Sequence, residues 1–176
     1  EAGFASVGEL IAQHRQKAAL GEAMRLVGEA NKYVADTQPF KLKGEDPATQ
    51  ARLATVLHTL AQAVTDLNLM LSPFLPHAAN DVDRVLGGSG RIAPMPRIEE
   101  VDELDPDHLP EAFDGRSGYP IITGDYQDAP TWGRHPVTVG TPVAKPAPVF
   151  TKLDESIVEA ELARYADSVP DDVTGS

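Results

Sequence analysis

Residues 46–72 read DPATQARLATVLHTLAQAVTDLNLMLS, and this stretch decides the fold. Asp46 is a favoured N-cap residue, and Pro47 falls at the first helical position, where a missing N–H leaves no bond unmade. Leu53, Leu57, Leu60, Val64, Leu67 and Leu71 then recur at spacings of 4, 3, 4, 3 and 4, which makes one apolar stripe along a helix. Val56, Ala63 and Met70 widen that stripe, so the helix is expected to be buried on two sides. Ser72-Pro73 repeats the cap-then-proline signal and predicts another helix to about Leu86, stopped by Gly87-Gly88.

Working outward, two helices precede this one. The first spans about Phe4 to His14, with Val7, Leu10 and Ile11 on one face. The second spans about Lys17 to Ala35, and its Ala19, Ala23, Leu26, Val27, Ala30, Tyr33 and Val34 follow helical spacing. Pro39 ends it, because the residue before a proline is biased away from helical torsions. Helices joined by short loops predict an all-α, antiparallel helix bundle over residues 1–90.

Beyond residue 90 the composition changes. Eleven of the 15 prolines lie after position 93, which excludes regular helix over most of 94–150. The stretch from Glu99 to Asp114 is acidic, with Phe113 as its one aromatic, and suits a solvated linker. Yet Tyr119, Ile121, Ile122, Tyr126, Trp132, Val137 and Val139 are too apolar for pure disorder. Residues 91–150 are therefore read as an acidic, Pro-rich extended arm laid over a surface, with a short hairpin at most. Residues 151–176 supply a C-terminal helix and tail: Asp154 caps it, and Ile157, Val158, Leu162 and Tyr165 line one side.

Bulk composition narrows the function. A chain of 176 residues has room for one core plus an extension. With no cysteine, there is no disulfide, thiol nucleophile or thiolate metal site, which suits a reducing cytoplasm. The first residues show no signal-peptide pattern, and the absence of an initiator Met suggests a fragment. The most apolar run, Leu67 to Ala79, is broken by Pro73 and Pro76 and is too short to span a membrane. Net charge is −12, spread unevenly: residues 1–100 carry 10 Lys/Arg against 12 Asp/Glu, and residues 101–176 carry 5 against 15. Any contact with nucleic acid must then be local and lie in the near-neutral half, since phosphates need cations.

Catalytic patterns are missing. There is no G-x-S-x-G, phosphate-cradling glycine loop, G-x-G-x-x-G or H-E-x-x-H. Gly87-Gly88-Ser89-Gly90 follows a helix and reads as its stop. His14, His58, His77, His108 and His135 lack ligand spacing, so no metal site is expected. The carboxylates of 99–114 read as a solvated charge run, since nothing nearby supplies a pocket. No catalytic residue is assigned.

One stretch does suggest binding chemistry. Residues 31–43 read NKYVADTQPFKLK: a helix ends, Pro39 stops it, and Phe40 follows with Lys41 and Lys43 beside it. A rigidly held aromatic next to positive charge is what stacking an unpaired base requires. The plainer alternatives are that Phe40 packs back onto the bundle, that the lysines are ordinary surface residues, and that Asn31 makes a local hydrogen bond.

Three motifs in order carry a family resemblance. Asn31-Lys32-Tyr33-Val34, then Pro39-Phe40-Lys41-Leu42, resembles the N-x-Y…P-W-x-L segment of the anticodon-binding domain of methionyl-tRNA synthetases. Leu71-Ser72-Pro73-Phe74-Leu75-Pro76 is similar to that family's L-x-P-x-x-P segment. Pro148-Val149-Phe150-Thr151-Lys152-Leu153-Asp154 is similar to its P-x-F-x-x-(I/L)-(D/E) stretch. The likeness covers residues 4–86 and 142–166, and the acidic arm looks most like that of actinobacterial members.

The resemblance implies that Pro39 and Phe40 lie against the anticodon of methionine tRNA, the aromatic stacking on its first base. Asn31, Lys32, Lys41 and Lys43 are candidate tRNA contacts. It also implies a parent ligase using ATP and Mg, with an N-terminal catalytic domain as partner and no cofactor in this chain. Phe40 departs from the family tryptophan, keeping a π-face but losing area and the indole N–H. The family's base-reading Asn and Arg lie on a helix upstream of this chain's first residue, and both ATP signatures, H-x-G-H and K-M-S-K-S, are missing. Methionine activation is thus expected of residues outside the chain. Two other readings stay open: a helical protein-interaction module with no nucleic-acid role, and the anticodon domain of another class I synthetase.

Overall fold

In the computed structural model, which describes residues 2–102, 118–124 and 130–168, the capped helix leads the architecture. It is α3, Pro47–Leu71, and the Asp46 carboxylate accepts the Thr49 backbone N–H at 2.9 Å. Before it come α1, Ala2–Ala12, and α2, Gln16–Thr37. After it come α4, Pro76–Val85, and an antiparallel pair of strands, β1, Pro96–Asp102, and β2, Gly118–Gly124. Ile98 faces Ile122 across that ladder, and Val101 faces Tyr119. The chain divides into two compact units, Glu1–Pro146 and Ala147–Ser176. The second holds α5, Glu155–Ser168, whose first turn is capped by Asp154 accepting from Ser156 N–H at 2.9 Å. Its Ile157, Val158, Leu162 and Tyr165 are exposed.

The core of the first unit is small and alanine-rich. Phe4, Val7, Ala19, Ala23, Leu69 and Met70 are buried together, with Leu10, Ile11, Leu26, Leu71, Phe74 and Ile92 packed around them. The small side chains let α1, α2 and α3 approach closely. A Cβ at Gly3 would come within 2.7 Å of Leu26 Cδ1.

Two expectations need correction. The α3 stripe is not the most buried side of the helix: Leu57 is 51% and Val64 42% exposed, and Val64 lines an open groove toward α2. The buried set is Val56, Asp66, Asn68, Leu69 and Met70. It includes two polar residues because both are bonded. Asn68 donates to Ala79 O at 2.9 Å, and Asp66 receives Gln62 and Arg134. The helix expected from Pro73 begins instead at Pro76. Ser72 keeps right-handed helical torsions and its hydroxyl bonds back to Leu69 O, so it closes α3 rather than opening α4. Gly87, at φ 88°, ends α4 as expected.

The arm is partly a strap. Residues 130–144 run along α3 and α4. Trp132 Nε1 donates to Phe4 O at 2.8 Å and its ring meets the Phe4 ring edge-on, at 5.5 Å and 88°. Arg134 reaches buried Asp66 at 2.7 Å. Gln62 donates to His135 O at 3.0 Å and accepts Val137 N–H at 3.0 Å. Ala144 N–H bonds to Val85 O. His108, Phe113 and Tyr126 lie outside the described residues.

Candidate nucleic-acid interface

The segment between α2 and α3 is a short corner held by backbone hydrogen bonds. Thr37 Oγ1 donates to Tyr33 O at 2.6 Å and tightens the last turn of α2. Gln38 then takes left-handed torsions, φ 43° and ψ 56°, with its N–H on Val34 O. Pro39–Lys41 form one 3-10 turn, held by Lys41 N–H on Gln38 O at 2.8 Å and Leu42 N–H on Pro39 O at 3.1 Å. The turn rests on α3. Gln50 reaches back to Gly44 O, and Gly44 leaves room for the capping Asp46, whose carboxylate a Cβ there would meet at 2.6 Å. The cap bonds, led by Thr49, hold the Asp46 carboxyl below its ordinary range, so the cap stays ionised at neutral pH.

Phe40 stands on this turn 62% exposed. It does not pack back onto the bundle. Pro39 and Leu42 are half-buried beside it, and Lys41 and Lys43 are exposed. Among the described residues neither lysine makes an ion pair. Over residues 31–43 three lysines face one acid, Asp36. An apolar ring in water beside unpaired cations can take a π-face and a phosphate together.

The candidate residues fall into two groups. Pro39, Phe40, Lys41 and Lys43 share the corner, and Lys43 N–H bonds to Lys41 O at 3.0 Å. Asn31 and Lys32 sit on α2 more than a turn before its end, both exposed. Asn31 lines the groove between α2 and α3, with Val34, Leu60 and Val64. Gln38 is the residue that sequence reasoning missed. Its signal was its place: a non-glycine wedged between a helix end and a proline.

Elsewhere, a cavity of about 410 Å³ lies between α3, the loop after α4 and the strap, lined by Asp66, Leu69, Asp83, Arg91, Ile92 and His135. Among the described residues no group of three or more His, Cys, Asp or Glu is placed to hold a metal ion. None of their helices is long and apolar enough to cross a membrane.

No protein-family model matches the chain. Curated relatives do. It is 62% identical over 161 residues to a methionine--tRNA ligase of Nocardioides sp., covering 92% of this chain and 25% of that protein. It is 54% identical over 166 residues to that of Beutenbergia cavernae, covering 93% and 25%. A solved structure, the apo, free-state Mycobacterium tuberculosis methionyl-tRNA synthetase, is 25% identical over 83% of this chain and 26% of that one. Its TM-score of 0.42 is too loose to say anything of this chain's geometry. In sequence the chain belongs to the methionine--tRNA ligase family, and it spans about a quarter of the length of the curated relatives it matches.

Proposed function

We propose that this chain is the anticodon-binding portion of a methionine–tRNA ligase and that the corner after α2 is where it holds the RNA. The observation that carries this is Phe40, 62% exposed on a turn whose two nearest cations make no ion pair among the described residues. Phe40 stacks on an anticodon base, with Pro39 as the flat wall beside it. Lys41 and Lys43 meet phosphates, and Asn31 and Lys32 on α2 extend the contact. The names of the relatives support tRNA as the nucleic acid, and translation places the work in the cytoplasm.

The whole protein would join methionine to tRNA with ATP and Mg. The donor set here does not fit either group: no H-x-G-H or K-M-S-K-S pattern is present, and the described residues offer no carboxylate cluster for a metal. That chemistry is assigned to residues beyond this chain, and this part contributes affinity and orientation. A protein-docking role has one observation in its favour, the exposed Ile98–Ile122 pair on the hairpin.

Binding of the 176-residue chain to the anticodon stem–loop of methionine tRNA tests the proposal. Phe40→Ala should weaken binding about five- to tenfold, the lower end of what a stacked base contributes, with the circular dichroism spectrum unchanged. Lys41→Ala should weaken it for every anticodon alike and flatten its salt dependence. Equal binding by Phe40→Ala and the parent chain would remove the stacking role.

A further inference from the structure

We infer that Gln38 is a positioning residue for Phe40: its left-handed backbone, locked by the following proline, aims the aromatic away from the bundle. This rests on the stacking role of Phe40 proposed above.

Phe40 is 62% exposed, so packing does little to hold its ring, and its direction comes from the backbone beneath it. That backbone is set at Gln38. At φ 43° and ψ 56° a side-chain-bearing residue occupies a region favoured by glycine. Its N–H ends α2 on Val34 O, and its carbonyl starts the 3-10 turn by accepting Lys41 N–H. One residue therefore belongs to both elements. Pro39 fixes the next φ and strongly disfavours ordinary helix at position 38.

Glycine is the usual residue at such a helix end, and it would fit here without strain. Glutamine gives up that ease. Its side chain makes no cap hydrogen bond, so its contribution is the restricted backbone itself. A strained residue followed by a rigid one makes a corner with few alternative shapes. Two residues later that corner presents Phe40. His14 also has a positive φ, 58°, at the end of α1, but no proline and no exposed aromatic follow it. The combination, rather than the torsion alone, marks position 38.

Four variants, Gln38→Gly, Gln38→Asn, Gln38→Val and Phe40→Ala, are compared in the 176-residue chain against the methionine anticodon stem–loop, with Gln38→Gly and Gln38→Val repeated in the Phe40→Ala background. Gln38→Gly should keep or raise the thermal midpoint yet weaken binding roughly threefold, because a freer corner must be ordered on binding. Gln38→Val, whose branched side chain is a poor fit to left-handed torsions, should weaken it roughly tenfold, and Gln38→Asn, which tolerates them, should stay within about twofold. With Phe40→Ala already present, neither Gln38→Gly nor Gln38→Val should weaken binding further, since the effect runs through the ring.

If Phe40→Ala weakens binding but the Gln38 variants do not, the positioning role is wrong and stacking stands. If the Gln38 losses persist in full without the Phe40 ring, Gln38 acts through the fold and the inference is overturned. If Phe40→Ala binds like the parent chain, the stacking role fails and takes this inference with it. Should Gln38→Val not fold, Gln38→Gly alone decides.

Discussion

Asn80 does the work of a short stretch of sheet. Its Nδ2 donates to Ala93 O at 3.0 Å and its Oδ1 accepts Ala93 N–H at 2.8 Å, so a buried side chain satisfies both backbone groups of a residue thirteen positions on. Asn80→Ala leaves both of those groups unpaired, and a loss of about 2–4 kcal/mol is expected in urea unfolding. Glu22 ties α1 to α2 from the surface. Arg25 donates to it twice at 2.8 Å, and Ser6 Oγ donates at 3.0 Å. These bonds, Arg25 first, bring the Glu22 carboxyl from 4.5 down to about 2. Because the folded value is the lower one, this stabilisation is full above about pH 4.5 and is lost as pH falls toward 2. Glu22→Gln should flatten that part of the acid dependence by lowering the thermal midpoint above about pH 4.5 while leaving its value near pH 2 unchanged. Asp46 was legible as a cap because its partner, Thr49, is three residues away. Asn80 and Asp66 were not legible, because the groups they satisfy are distant in sequence and a polar residue on a helix looks solvent-facing until its partner is placed. Phe40 was legible as a candidate, but its exposure needed the torsions of Gln38.

At the scale of elements, start signals held where they were redundant and failed where they were single. Asp46 and Pro47 agree with each other and with the apolar spacing that follows, and α3 begins there. Asp46→Ala should lower helix content and thermal midpoint together. The parent chain should show the same change on acidification, since its cap carboxyl must be protonated before the bond to Thr49 N–H is lost. Ser72-Pro73 offered the same local signal, but Pro76 competed for it. Ser72 bonds backward to Leu69, leaving Pro76 to open α4. The α3 stripe was read with the right period and only partly the right face: Val56, Met70 and Leu71 meet the interior, while Leu57 and Val64 are exposed. Periodicity finds an apolar row, but it does not say which of two adjacent rows meets the core. Small Ala19 and Ala23 draw α2 and α1 toward Leu69 and Met70, while Leu60, Val64, Leu67 and Leu71 line the groove.

At the scale of the first unit, the strap is joined to the bundle mainly by polar anchors, with the Trp132 ring as its apolar one. Arg134→Ala removes the guanidinium from a buried carboxylate that, among the described residues, keeps only Gln62. A loss of about 2 kcal/mol is expected on urea unfolding, with Asp66→Asn in the same chain recovering part of it. An arm over a surface was legible from its prolines and apolar residues; the surface it chose was not, because sequence patterns carry no record of contacts made across half the chain. Those contacts also impose an order in time. Trp132 meets Phe4 from 128 residues away, and Arg134 meets Asp66 from 68. Loops of that length close late, after local helices have formed. During synthesis the first helix must therefore wait, its Phe4 carbonyl without that partner and the face of Gly8 uncovered, until the tryptophan emerges from the ribosome. Within these residues the segment made first is among the last to be finished, and in that interval a chaperone or a protease would find it open.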